Sequence, residues 1–196
     1  MSTNITNFLL TGESGVGKTA IILNVLKELD KSVKVGGFVT RAIRSGKAGK
    51  GVLLTTLDGR QAVLASLNKK STYKIGNYGI DVEVMSNLAV PSLTAALETA
   101  DLIVIDEIGK MECFSKEFRD TVLRCIESPQ LVLGTIQAFA SPFINTLTNR
   151  EDVAVIPVDM SNRNDMALNI LALIDEWFQS RQKSKPSKKN GSRSRR

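Results

Sequence analysis

Residues 12–19 read Gly12-Glu13-Ser14-Gly15-Val16-Gly17-Lys18-Thr19, which fits the spacing G-x-x-x-x-G-K-[ST] at every position. Glycines allow successive backbone N–H groups to curl around an anion, and a helix starting near Lys18 aims its positive dipole end at the same charge. The chemistry this suits is phosphate binding. Lys18 is expected to reach the β- and γ-phosphates, and the Thr19 hydroxyl to face a magnesium ion. A chain of this length matches the pattern by chance at about the one-percent level, so a merely flexible turn is the weaker reading.

A magnesium-bound triphosphate also needs a carboxylate at the end of a buried strand. Asp106 follows the apolar run "LIVI" and meets that requirement. Glu107 comes next and can polarise a water for in-line attack on the γ-phosphorus; the alternative is a solvated acidic turn. The chain contains no histidine, so imidazole catalysis and histidine-ligated metals are excluded. Carboxylates, Lys/Arg side chains and metal remain.

These groups need a scaffold that holds them at one edge. Residues 5–10, 33–40, 100–107, 130–135 and 153–158 are short apolar runs that read as strands, the third unbroken as in a parallel strand covered on both faces. Helical spacing recurs over 20–29, 88–99 with Pro91 in the opening turn, 115–127 with Ser115 as N-cap, 141–147 with Ser141 in the same role, and 162–179. The alternation predicts an α/β fold of the P-loop NTPase type, with a parallel sheet of about five strands flanked by helices. Residues 41–81 interrupt it with six glycines and a hairpin signal at Asp58-Gly59, read as a small inserted antiparallel ribbon beside the sheet. One domain over 1–181 is expected, followed by a disordered basic tail over 182–196.

Bulk composition agrees with a single globular domain: 196 residues, 42% apolar and 23% charged. The two cysteines, Cys113 and Cys125, lack metal-ligand spacing and are expected as free thiols in a reducing cytoplasm. No apolar run approaches the roughly 20 residues that span a bilayer, and no secretory leader is evident, so a membrane partner is not expected and the Asn4-Ile5-Thr6 sequon is read as chance. The net charge of +6 is local: residues 183–196 carry seven Lys/Arg, leaving 19 basic against 20 acidic residues elsewhere. A solvated end is preferred there over an RNA-binding arm.

The string "VIDEIGKMECFSKEF" (104–118), with the phosphate loop and "GGFVTRAIRSGKAGKGVLL", resembles the THEP-type nucleoside-triphosphatases, whose animal members are called cancer-related nucleoside-triphosphatase. The resemblance extends over about 7–173, including "SNRND" at 161–165. It implies a Mg²⁺-dependent phosphohydrolase acting on ATP, GTP, CTP, UTP or TTP, and more weakly on diphosphates, with little base preference. It also implies nucleotide contacts along 12–19 and along Val104, Ile105, Asp106, Glu107, Ile108, Gly109, Lys110 and Met111. Lys110 and Glu112 match the family pattern, Lys110 either stabilising charge or capping a turn. Three positions depart from it: Arg41-Ala42-Ile43 before Arg44, Val52 after Gly51, and Ala20 after Thr19. The first two leave the ribbon without an assigned substrate contact.

Apart from family, an Asn-Lys-x-Asp guanine reader is missing, since Asn68-Lys69-Lys70-Ser71 lacks the aspartate. Asn162 and Arg163 follow the last strand and are assigned to the base or ribose, the alternative being a Ser161-capped helix start. Arg41, Arg44, Arg150 and Arg163 are unranked candidates for an arginine finger. Two rival functions stay open: a nucleotide or small-molecule kinase with Arg41, Arg44, Lys47, Lys50 and Arg60 as a lid, and an RNA-associated nucleotide switch using the basic tail. A monomer is expected.

Overall fold

Apolar runs and amphipathic stretches alternate along the chain, and each becomes the element its period dictates. The structure, a computed structural model, describes residues 5–44, 50–67, 69–139 and 141–184. β1 (Asn7–Thr11) leads through the glycine loop into α1 (Lys18–Glu28), and β2 (Val35–Ile43) follows. β3 (Gly51–Thr56), β4 (Gln61–Leu67), β5 (Lys74–Ile75) and β6 (Tyr78–Ile80) make up the inserted region. Next come α2 (Val82–Val84), a π-helical turn (Met85–Ala89) and α3 (Val90–Thr99) in one continuous run, then β7 (Leu102–Ile108). A 3₁₀ turn (Glu112–Phe114) precedes α4 (Lys116–Ile126), β8 (Leu131–Ile136), α5 (Pro142–Thr148), β9 (Val153–Pro157) and α6 (Met166–Ser184).

All nine strands join one sheet in the order β5-β6-β4-β3-β2-β7-β8-β1-β9. The five strands β2, β7, β8, β1 and β9 are mutually parallel, as expected. The inserted ribbon extends that sheet instead of standing beside it, because β3 pairs antiparallel with the free edge of β2 from Phe38↔Thr56 to Ile43↔Gly51. The hairpin turns at Asp58-Gly59, between β3 and β4.

Side chains of β7 alternate into two cores. Ile103 and Ile105 pack with Leu9, Phe38, Leu93, Phe118 and Val122 on the α3/α4 face. Leu102 and Val104 pack with Phe8, Leu10, Ile22, Val25 and Ile174 on the α1/α6 face. A strand sealed on both faces keeps its unbroken apolar character for that reason.

Helix boundaries shift where the local chemistry differs from the simple period. The helix expected from 88 starts at Val82; Pro91 offers no N–H to the Asn87 carbonyl, and the wider π turn just before it takes up that gap. Ser115 caps α4 as expected, its Oγ accepting from Phe118 N at 3.1 Å. Ser141 forms no side-chain cap bond. Ser161 does not cap the last helix either. Asp159 Oδ1 accepts from Ser161 N and Oγ and from Asn162 N, and α6 starts only at Met166. That helix runs on through Ser184, past the expected start of the tail at 182; residues 185–196 lie outside the described residues.

Phe38 and Phe118, both fully buried, meet edge to face at 5.9 Å and tie the parallel sheet to α4. Phe118→Ala is expected to cost about 3–5 kcal/mol of unfolding free energy in urea titration, and Phe118→Leu much less. A loss below about 1 kcal/mol for the alanine variant would contradict this placement of the core.

Candidate active site

The phosphate loop sits where β1 stops. Gly15 and Gly17 have φ of 83° and 114°, a backbone region that only glycine enters without strain, and α1 begins directly after Gly17. Gly12 is required for a different reason: a Cβ there would lie 2.3 Å from the Val158 carbonyl oxygen of the loop after β9. The ammonium of the buried Lys18 is tied across the loop, donating to the Gly12 and Glu13 carbonyls at 2.8 and 3.2 Å. Glu13, Ser14 and Gly15 are exposed, whereas Val16 anchors the loop in the α1/α6 core.

β1 and β7 are parallel and separated only by β8, so their carboxyl ends stand two strand spacings apart, roughly 10 Å. The register Leu9↔Gly134↔Ile105 puts Thr135 and Asp106 one step further, level with Leu10. Thr135 Oγ1 donates to Asp106 Oδ1 at 2.6 Å, and Asp106 Oδ2, also buried, has no hydrogen-bond partner. The Thr19 hydroxyl and the Thr40 N–H lie close enough to favour the carboxylate, as does the Lys18 charge, yet burial outweighs them and raises the Asp106 pKa.

Neighbouring residues of a regular strand face opposite ways. Here β7 bulges, with Ile105 and Ile108 opposing Gly134 and Ile136, so three steps on β7 match two on β8. The Asp106–Glu107 peptide bond is cis. Glu107 is half-buried; burial and then the Asp106 charge raise its pKa, and Lys18 opposes them. Lys18 therefore acts on both acids, and the phosphate loop and the acidic corner lie within electrostatic reach of one another.

The family model described as NTPase matches residues 7–171. The nucleoside-triphosphatase THEP1 of Thermotoga maritima is 36% identical over 166 residues, 85% of this chain and 94% of that protein. The chain belongs to the THEP1 nucleoside-triphosphatase family. It is a hydrolase of nucleoside triphosphates, which displaces the kinase alternative. The crystal structure of THEP1 from Aquifex aeolicus superposes with a TM-score of 0.78 at 32% identity, covering 86% of this chain and 99% of that one. The solution structure of a human cancer-related nucleoside triphosphatase gives 0.73 at 32% identity, with 88% and 98% covered. The P-loop NTPase fold expected from the sequence is therefore the fold of its relatives.

Within this THEP1-family frame the remaining candidates separate. Val104, Ile105 and Ile108 are fully buried, and their side chains pack into the two cores. Met111 packs against the α3/α4 core. Lys110 is exposed; its N–H donates to Gln137 Oε1 at 3.1 Å and its ammonium stands 5.6 Å from the Phe139 ring centre. Asn162 is a fastener: its Oδ1 accepts from Asp159 N and its Nδ2 donates to the Pro157 carbonyl, both at 3.0 Å. Arg163 lines a cleft of about 270 Å³ with Val16, Gly17, Ala20, Ile21 and Asn24, beside the first turn of α1. A second cleft of about 530 Å³ lies between the loop residues Gly12, Glu13 and Val16 and the segment Val158, Asp159, Met160 and Ser161.

Of the arginine candidates, Arg150 is spent on Asp152 and Glu127 ahead of β9, at the sheet edge opposite the site. Arg60 is held by Asp58, and Lys47 lies outside the described residues. Both cysteines are free thiols, pushed up to about 12 by burial and thus inert. Among the described residues no helix is long and apolar enough to cross a membrane. Sequence reasoning missed Thr135, whose only signal is a hydroxyl closing the buried run "LVLGT", and left Glu112 without a role.

Glu112 is fully enclosed and neither carboxyl oxygen has a hydrogen-bond partner. Burial, then the Glu107 charge, pushes its pKa from 4.5 up to about 8. Between those values the native state keeps a proton that the unfolded chain has released, so stability falls as pH rises through 4.5 and levels off above about 8. Glu112→Gln is expected to melt higher than the parent at alkaline pH, the gap closing as pH approaches 4.5. A gap that does not change with pH would contradict the assignment.

Proposed function

We propose that the chain removes the terminal phosphate of ATP, GTP, CTP, UTP and TTP with Mg²⁺, and acts more slowly on the diphosphates. The observation that carries this reading is the Asp106 carboxyl, buried beside Thr19 with Oδ2 left unpartnered. A buried carboxyl with one oxygen left without a hydrogen bond, near a hydroxyl on the phosphate loop, suits a magnesium shell. When bound through Thr19 and Asp106, the ion supplies neutralisation of phosphate charge.

The protein groups do the rest. The loop N–H groups and Lys18 hold the β- and γ-phosphates, Lys18 trading its bonds to the Gly12 and Glu13 carbonyls for phosphate oxygens. Glu107, its basicity raised by burial and by Asp106, accepts a proton from the attacking water. The water oxygen bonds to the γ-phosphorus, the β–γ anhydride bond breaks, and nucleoside diphosphate and phosphate leave.

Broad base acceptance follows from what the clefts offer. Val158 and the exposed Met160 give apolar contact. Asn162 and Asp159, the polar groups best placed to read a base edge, are consumed by each other and by the Pro157 carbonyl. Arg163 supplies a cation beside α1 that suits ribose or phosphate oxygens.

Phosphate release across a nucleotide panel, with and without Mg²⁺, tests the reading. Lys18→Ala is expected to lower kcat/KM by roughly 10²-fold or more, and Glu107→Gln to keep nucleotide affinity while losing turnover by a similar factor. Turnover retained in Glu107→Gln would remove that residue from the base role. A panel in which one base is preferred by 10⁴-fold would contradict the account of the clefts.

A further inference from the structure

Glu112 is not explained by the chemistry above, and a buried acid with both oxygens unpartnered is expensive to keep. Its location shows what it serves. A Cβ placed on Gly109 would stand 2.7 Å from Glu112 Oε2 and 2.9 Å from Glu107 Oε1, so those two oxygens are at most the sum of these distances, 5.6 Å, apart. No direct hydrogen bond joins them, and a single bridging water spans that separation. The glycine is what lets both carboxyls close in on the same point.

We propose that Glu112 is a positioning residue for the hydrolysis: its carboxyl, held behind Gly109, donates through one water the hydrogen bond that orients Glu107 toward the attacking water. This rests on the reading of Glu107 as the base. A protonated acid is the only form of Glu112 that can donate, and two facing carboxylates would repel. Its surroundings favour that form. Glu107 and Asp106 of β7 both disfavour its ionisation, and Arg119 of α4 donates to the Cys113 carbonyl. The Gly109 and Glu112 amides approach the carboxyl without outweighing burial.

The donor is lost when pH rises through about 8, where Glu112 ionises and adds negative charge beside Glu107 and the triphosphate. Turnover therefore falls on that limb. Replacing Glu112 with a residue that cannot donate lets the Glu107 carboxylate swing out of line, which lowers kcat and leaves ground-state binding alone.

Three variants of the full chain test this with Mg²⁺ and ATP. Glu112→Leu is expected to lose roughly 10²-fold in kcat with KM changed less than about threefold. Glu112→Gln, which keeps a donor in place, recovers most of that loss and lacks the alkaline limb of the parent. The infrared spectrum of the parent at neutral pH shows the carbonyl band of a protonated carboxylic acid that Glu112→Gln lacks; this readout needs neither turnover nor a folded leucine variant. Glu112→Leu with parental kcat, an alkaline limb unchanged in Glu112→Gln, or absence of that band in the parent overturns the proposal. Glu107→Gln serves as the control. If it is inactive while Glu112→Leu is fully active, the positioning role alone fails; if Glu107→Gln is active, the base assignment fails and this proposal goes with it.

Discussion

The burial of Asp106 at the end of β7 is the constraint on which the rest of the site depends. One oxygen is fixed by Thr135 from the neighbouring strand, the other has no hydrogen-bond partner, and the carboxyl lies near Thr19. An unpaired carboxylate oxygen in the interior is costly, and a fold retains one where something outside the chain completes it. Parallel pairing of β7, β8 and β1 sets the carboxyl end of β7 two strands from the phosphate loop, and β7 bulges after Ile105, where Glu107 follows Asp106.

The three acids Asp106, Glu107 and Glu112 all have raised pKa values, and burial is the first cause in each. Among the described residues no ion pair involves these three acids; the exposed pairs, such as Lys116–Asp120, lie elsewhere on the molecule. Strain of this kind is offset by the sealed cores on either side of the sheet, where β7 contributes Leu102, Ile103, Val104 and Ile105, each fully buried. Stability is thus supplied by the strand interior and given up at its carboxyl end, the division expected of an active site built on a rigid element.

Much of this was legible in the sequence. The glycine spacing, the buried run before Asp106 and the alternation of strands and helices each rest on a local rule, and each reappears with boundaries shifted by a few residues. What could not be read depends on contacts far apart in sequence. Gly12 answers to Val158, Asp106 to Thr135, and Glu112 to Glu107 across Gly109. Lys110 and Asn162 looked chemical because of their type and position, yet one stands over Phe139 and the other closes its own turn. The ribbon, read as an appendage, continues the sheet because β2 extends to Ile43 and presents an open edge.

Calorimetric titration with a non-hydrolysable ATP analogue, with and without magnesium, probes the free oxygen of Asp106 most directly. Magnesium should strengthen binding to the parent and have little effect on Asp106→Asn, while the metal-free affinities of the two proteins agree. An equal magnesium dependence in both would contradict the account.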